Sequence, residues 1–299
     1  MIEYAVHTHV GERENNEDSL KVIHNEEIGY CFVVADGLGG HGRGEDASRY
    51  TVETFEDVFI NIGKNQSQDD NADKDIATKE DMKEDTDKIE SNEDENLEIE
   101  LDNKEIFDKD LQIQDFLKNS FEKSQNKLEK EQDKTGALNE LKTTAVALTV
   151  IDDKMKWAHI GDSRIYMFNN NKMIMRSLDH SVPQMLVFAG ELKEKNIRNH
   201  PDRNRLLRVL GARNVDLKVD YSDEYTIDDC QAFLLCSDGF WECITERKMC
   251  KFLKKSKSVQ EWLDMMVKEV EKNGKGTNMD NNSAIAVWVK EKRSGLLWM

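Results

Sequence analysis

Residues 143–177 read TTAVALTVIDDKMKWAHIGDSRIYMFNNNKMIMRS, and the reading of this stretch decides the fold. Four β-rich runs stand in it, Ala145 to Ile151, Lys156 to Ile160, Arg164 to Phe168 and Lys172 to Ser177, separated by short polar turns such as Asn169-Asn170-Asn171. Connections this short join antiparallel neighbours, so the spacing predicts an antiparallel meander.

Downstream, Ser181 to Ala189 and Arg203 to Leu210 read as short helices, and Gln231 to Cys236 as an apolar strand running into Ser237-Asp238-Gly239. Val259 to Lys272 reads as a helix and Ser283 to Lys290 as a closing strand. Upstream, Tyr4 to His9, Asp18 to Ile23 and Ile28 to Ala35 read as strands, the last ending at Asp36. After a glycine cluster, Glu45 to Ile62 places Ala47, Tyr50, Thr51, Thr54, Phe55, Val58 and Phe59 on one helical face. Helical spacing returns with Phe107, Leu111, Phe116, Leu117, Phe121 and Leu128.

Between these helices the chain changes character. Lys64 to Asp110 holds 19 acidic and 7 basic residues, a net −12 out of −18 for all 299 residues. From Lys64 to about Lys104 it has no aromatic residue and no sustained apolar period, so it cannot offset its ordering entropy and reads as a disordered acidic insertion within one domain spanning 1–299.

The remainder is mildly acidic, with no basic block of the kind that binds nucleic acid or an anionic membrane. No apolar run approaches the roughly 18 to 20 residues of a bilayer span, and Met1 to Tyr4 opens no secretory leader, so the expectation is a cytoplasmic protein. The five cysteines, Cys31, Cys230, Cys236, Cys243 and Cys250, lie in or beside apolar runs without CxxC spacing and read as reduced thiols.

Four aspartates stand at strand ends: Asp36, Asp162, Asp238 and Asp280. A carboxylate there is costly to desolvate, and hard divalent cations are natural partners for several together. Any one Asp-Gly pair taken alone is read more simply as a turn. The glycine cluster after Asp36 lacks the Gly-Lys-Ser/Thr ending of a nucleotide-binding loop.

Seven motifs in order carry a resemblance: Arg13-Glu14-Asn15-Asn16-Glu17-Asp18, Asp36-Gly37-Leu38-Gly39-Gly40-His41, Thr143-Thr144-Ala145, Gly161-Asp162-Ser163-Arg164, Asp179-His180-Ser181, Ser237-Asp238-Gly239 and Asp280-Asn281. Together they resemble the type 2C (PPM) metal-dependent protein serine/threonine phosphatases, bacterial branch, across all but the acidic insertion. The stretch from His180 to Gly211 resembles that branch's flap.

The resemblance implies an α+β fold, an αββα sandwich of two antiparallel sheets flanked by helix pairs, with Mn²⁺ or Mg²⁺ at one end as two core ions and room for a third. It implies that Asp36 bridges the two core metals, Asp238 and Asp280 serve one, Glu17 and the Gly37 carbonyl serve the other, and Asp162 with Asp238 forms a third site. Arg13 would grip the substrate phosphate, Asp18 would orient metal-bound waters, and His180 would contact substrate. The implied reaction is hydrolysis of phosphoserine and phosphothreonine by direct attack of a metal-bridging water.

Two positions depart from the family pattern. Leu38 stands where some members have a histidine that protonates the leaving oxygen, which leaves the general acid open; His41 reads as structural or as a hydrogen-bond partner, with general acid as its second reading. Lys142 stands where glycine is usual. The implied partners are phosphorylated proteins, substrates of a bacterial serine/threonine kinase, with no nucleic acid or membrane, and the chain is expected to be a monomer. A second reading is a catalytically weak phosphoprotein-binding or scaffold protein that uses the acidic insertion. A third is a metal-dependent phosphodiesterase or nuclease, since two-metal sites also serve those reactions, against which the missing basic groove counts.

Overall fold

The structure is a computed structural model that describes residues 1–39, 43–72, 109–138 and 140–289, with the backbone alone for 63–72 and 109–112. In chain order the elements are β1 (Ile2–His9), β2 (Asp18–Asn25), β3 (Gly29–Asp36), α1 (Gly44–Ala72), α2 (Lys109–Thr135), β4 (Ala145–Ile151), β5 (Lys154–Ile160), β6 (Arg164–Asn169) and β7 (Lys172–Arg176). They continue as α3 (Val182–Phe188), β8 (Asp220–Tyr221), β9 (Tyr225–Thr226), β10 (Ala232–Cys236), α4 (Asp238–Trp241), α5 (Glu246–Lys255), α6 (Val259–Gly274) and β11 (Asn282–Val289).

The four runs of the 143–177 stretch are all strands, but they do not form one meander. β4 and β5 pair within the sheet β2-β3-β4-β5-β8, which β9 joins at β5, whereas β6 and β7 belong to the sheet β1-β11-β10-β6-β7. Every pairing is antiparallel. The link Gly161-Asp162-Ser163 carries the chain from one sheet to the other. Gly161 makes this possible with φ +100°, where a Cβ would overlap the Thr144 side chain. Alternation in β6 shows which residues share a face but is silent on which strand lies beside it.

Both faces of each sheet are covered. Phe32, Val34, Val146, Leu148, Ile165, Met167, Phe233 and Ile285 fill the space between the sheets. Outside one sheet, Val33 and Ala147 meet Phe55 and Phe59 of α1 and Phe116 and Phe121 of α2, whose rings cross edge to face. Outside the other, Tyr166, Phe168 and Leu234 meet Trp262 and Met266 of α6 and Met249 of α5. The layers are therefore helix pair, sheet, sheet, helix pair, the expected αββα sandwich.

Several expected boundaries are corrected. Arg203 to Leu210 is not a helix, because its backbone groups bond elsewhere: Arg205 O accepts from Val182 N, Leu207 N donates to His180 O, and Leu210 exchanges both bonds with Thr143. Helix α3 forms as expected behind Ser181, whose hydroxyl caps Gln184 N, with Pro183 in the first turn. Helix α5 and the short strands β8 and β9 were not anticipated. Helix α1 continues past residue 62 to Ala72, and the expected disorder over 64–104 falls, from residue 73 on, outside the described residues, as do His41 and Phe107. All five cysteines are free. Among the described residues, no helix is long and apolar enough to cross a membrane.

Candidate functional site

One end of the sandwich collects the strand-end acids. Asp18 opens β2 and Asp36 closes β3, directly opposite each other in the register. Asp238 follows β10 after Ser237 and opens α4, Asp280 precedes β11, and Asp162 sits in the link between the sheets. Ser237 ties the two sheets together: its N donates to Ser283 O at 3.0 Å and its hydroxyl donates to Asp18 Oδ2 at 2.7 Å. A cleft of about 1050 Å³ opens here, lined by Arg13, Glu17, Asp36, Gly37, Asp162, Asp238 and Asp280 among others.

Local hydrogen bonds explain how loops hold these groups. Asn281 Oδ1 accepts from Glu17 N at 2.8 Å, and its amide donates to Val10 O and Asn15 O at 2.8 and 2.9 Å, so one side chain pins the loop carrying Arg13 and Glu17. The Asp36 carbonyl accepts from Thr144 N at 2.8 Å and from the Thr143 hydroxyl at 2.7 Å. Gly37 packs so tightly on Gly44 and the Glu17 backbone that a Cβ would overlap both. Asn281 was only a motif letter in the sequence; its clamp joins residues more than 260 positions apart, which no local pattern reveals.

The acids are short of positive charge. Burial pushes the Asp18 carboxyl up to about 7, against the hydrogen bond from Ser237, with Asp238 and Asp280 adding repulsion. Burial, then Asp280, raises Asp238 to about 6. Asp36 is raised by burial and by Asp238, Asp18, Asp162 and Asp280, and Asp162 by burial and Asp238. Glu17 is raised by burial and Asp280. Among the described residues no lysine or arginine pairs with Asp36, Asp162 or Asp238, and Asp280 alone meets Arg13, at 2.8 Å. Asp18 Oδ1 is buried with no hydrogen-bond partner. An oxygen-only set with unmet negative charge fits hard divalent cations such as Mg²⁺ or Mn²⁺.

His180 lies behind the cleft wall, 7% exposed, and is not among the cleft-lining residues. Its Nδ1 accepts from Gly161 N at 3.1 Å and its Nε2 meets Asp220 Oδ2 at 3.1 Å, so it holds the link that carries Asp162. Two further residues grip that link. Trp241 Nε1 donates to Asp162 O at 3.0 Å, and the Arg164 guanidinium lies 3.4 Å over the Trp241 ring while bonding both Asp179 oxygens at 2.7 and 2.6 Å. Arg164 stood in a motif without a role, and Trp241 stood in none.

The chain matches the family model described as Protein phosphatase 2C over residues 7–283. It is 29% identical over 269 residues to the serine/threonine phosphatase stp of Listeria welshimeri, covering 89% of this chain and 88% of that one. Its fold matches the crystal structure of the serine/threonine phosphatase Stp1 from Staphylococcus aureus, with TM-score 0.73, 22% identity and 97% and 96% of the two chains covered. It also matches the catalytic domain of the phosphatase PstP in complex with two manganese ions, with TM-score 0.65, 19% identity and 97% and 99% coverage.

Proposed function

Because the chain belongs to the protein phosphatase 2C family, we propose that it hydrolyses phosphoserine and phosphothreonine esters of proteins, by direct attack of water and with the help of Mn²⁺ or Mg²⁺. The observation that carries this reading is the convergence of Glu17, Asp18, Asp36, Asp162, Asp238 and Asp280 with Arg13 as their one ion-pair cation among the described residues. The sheets share one core between them, which supports reading 1–299 as a single catalytic domain with 64–104 inserted.

In this reading Asp36, Asp238, Asp280, Glu17 and the Gly37 carbonyl hold two metals, and Asp162 with Asp238 holds a third. When bound, the metals supply the charge that acidifies water and offsets the phosphoryl oxygens. Arg13, at the cleft mouth with its side chain 41% exposed, presents a planar fork to the phosphoryl group, so that two oxygens are bound and aligned at once. Asp18 stands behind the cleft lining, opposite Asp36 with its Oδ1 buried, and Ser237 fixes its other oxygen, so it acts on the cleft through its neighbours. His180 acts as a positioning residue for Asp162.

Water attacks phosphorus, the ester P–O bond breaks, and the serine or threonine oxygen leaves with a proton. Leu38 has none to give, so water or another residue of the cleft supplies it. None of the five cysteines is among the residues lining the cleft, so water and not a thiol is the nucleophile in this reading.

The test is phosphate release from a phosphothreonine peptide with and without Mn²⁺. The parent turns over only with metal, and Asp238→Ala loses at least about a hundredfold in kcat. No release by the parent under any divalent metal would leave a binding or scaffold role in its place.

A further inference from the structure

The cleft is longer than a phosphoserine side chain requires. Its roughly 1050 Å³ exceeds the upper range of pockets that enclose a drug-sized ligand, and it continues past the carboxylates along the segment 204–218. This arm is lined by Leu207 and Val215, 53% and 64% exposed, and by Lys142, Arg208 and Lys218.

Lys142 stands where the arm meets the carboxylate site. Its carbonyl accepts from Leu38 N at 2.9 Å, just past Asp36-Gly37, and the next residue, Thr143, pairs through its backbone with Leu210. On the other side the Leu141 carbonyl accepts from Gln132 Nε2 at 3.0 Å, so the backbone is fixed on both sides of the side chain. Lys142 is half-buried, and no carboxylate pairs with it or with Lys218 among the described residues, whereas Arg208 is held by Asp220 at 3.0 Å. Two lysines without internal counterions flank an apolar floor, with Asp216 the one acid lining this arm.

We propose that this arm reads the substrate segment beside the phosphorylated residue and selects an acidic neighbour, with Lys142 as the specificity-determining residue and Lys218 as its outer support. The inference rests on the phosphatase reading and names its substrate class: phosphosites flanked by aspartate or glutamate. The charge is complementary, and the partly desolvated ammonium at Lys142 gains more from a carboxylate than a fully exposed one would.

The experiment compares kcat/KM for phosphothreonine peptides that differ only in a glutamate, glutamine or lysine next to the phosphothreonine, with Mn²⁺ at low salt. The parent is expected to favour glutamate over glutamine about fivefold, the scale of one partly exposed charge pair, and the preference shrinks in 0.5 M salt. In Lys142→Glu the order reverses to favour lysine, and in Lys218→Glu the preference narrows. The readout is a ratio of peptides on one protein sample, so a general loss of turnover in a variant cancels. Equal rates for all three peptides in the parent, or a glutamate preference that survives Lys142→Glu, would overturn the proposal while leaving the phosphatase reading intact. Absence of turnover on every peptide sinks both.

Discussion

At the scale of single residues, the site holds groups whose functional fitness works against the stability of the metal-free fold. Asp18 is buried, raised to about 7 and has an oxygen without a partner. Asp18→Asn removes that charge, so the metal-free protein should melt higher than the parent at pH 8 while its gain on adding Mn²⁺ shrinks; differential scanning calorimetry measures both. Arg164 illustrates the opposite balance. It and Asp179 are each nearly inaccessible and bonded through two contacts. Arg164→Met removes both short contacts of the buried Asp179 carboxylate and leaves it Arg176 alone, at 3.5 Å, so it should lower the free energy of unfolding by about 3 kcal/mol in urea titrations.

At the scale of elements, the decisive connection is the link from β5 to β6. Gly161 at φ +100° turns it between sheets, and His180 and Trp241 hold it from either side. Gly161→Ala forces a side chain into Thr144 in a backbone region that L-residues rarely occupy, so a loss of about 1–3 kcal/mol is expected, with turnover falling as Asp162 shifts. The helix pair is set by packing. Phe55 is fully buried between Phe116 and Phe121, and Phe55→Ala should cost about 3–5 kcal/mol without changing metal dependence at a permissive temperature.

At the scale of the whole molecule, the acids clustered at one end give stability an unusual pH dependence. A carboxyl raised in the folded state binds more protons than its unfolded counterpart, so stability falls as pH climbs from about 4 through 6 for Asp238 and 7 for Asp18, with Asp36 and Asp162 acting in the same direction. His159, lowered to about 4 by burial and by His180, works the other way, losing stability as pH falls from about 6.5 to 4. The raised acids, which include Glu17 and Glu242, outnumber the lowered imidazoles of His159 and His180, so in EDTA the melting temperature should drop between pH 5 and 7.5. Saturating Mn²⁺ should reverse the slope, because ionised ligands bind metal. A flat profile in EDTA would mean that the acids are neutralised without metal.

The sequence by itself determined nine of the eleven strands, the two helices that carry Phe55 and Phe116, and the identity of the acids at the strand ends. Each of these is written in local periodicity or in a motif a few residues long. Only the tertiary structure decided that the 143–177 stretch divides between two sheets, that 203–210 is not a helix, that Asn281 clamps the Arg13 loop, and that His180 stands behind the cleft. These depend on which distant backbone meets which side chain, as when Leu210 takes its partner from Thr143 and Trp241 finds the Asp162 carbonyl 79 positions away. Hydrogen-bond partners across such distances are chosen by the packing of whole layers, and no period in the chain records that choice.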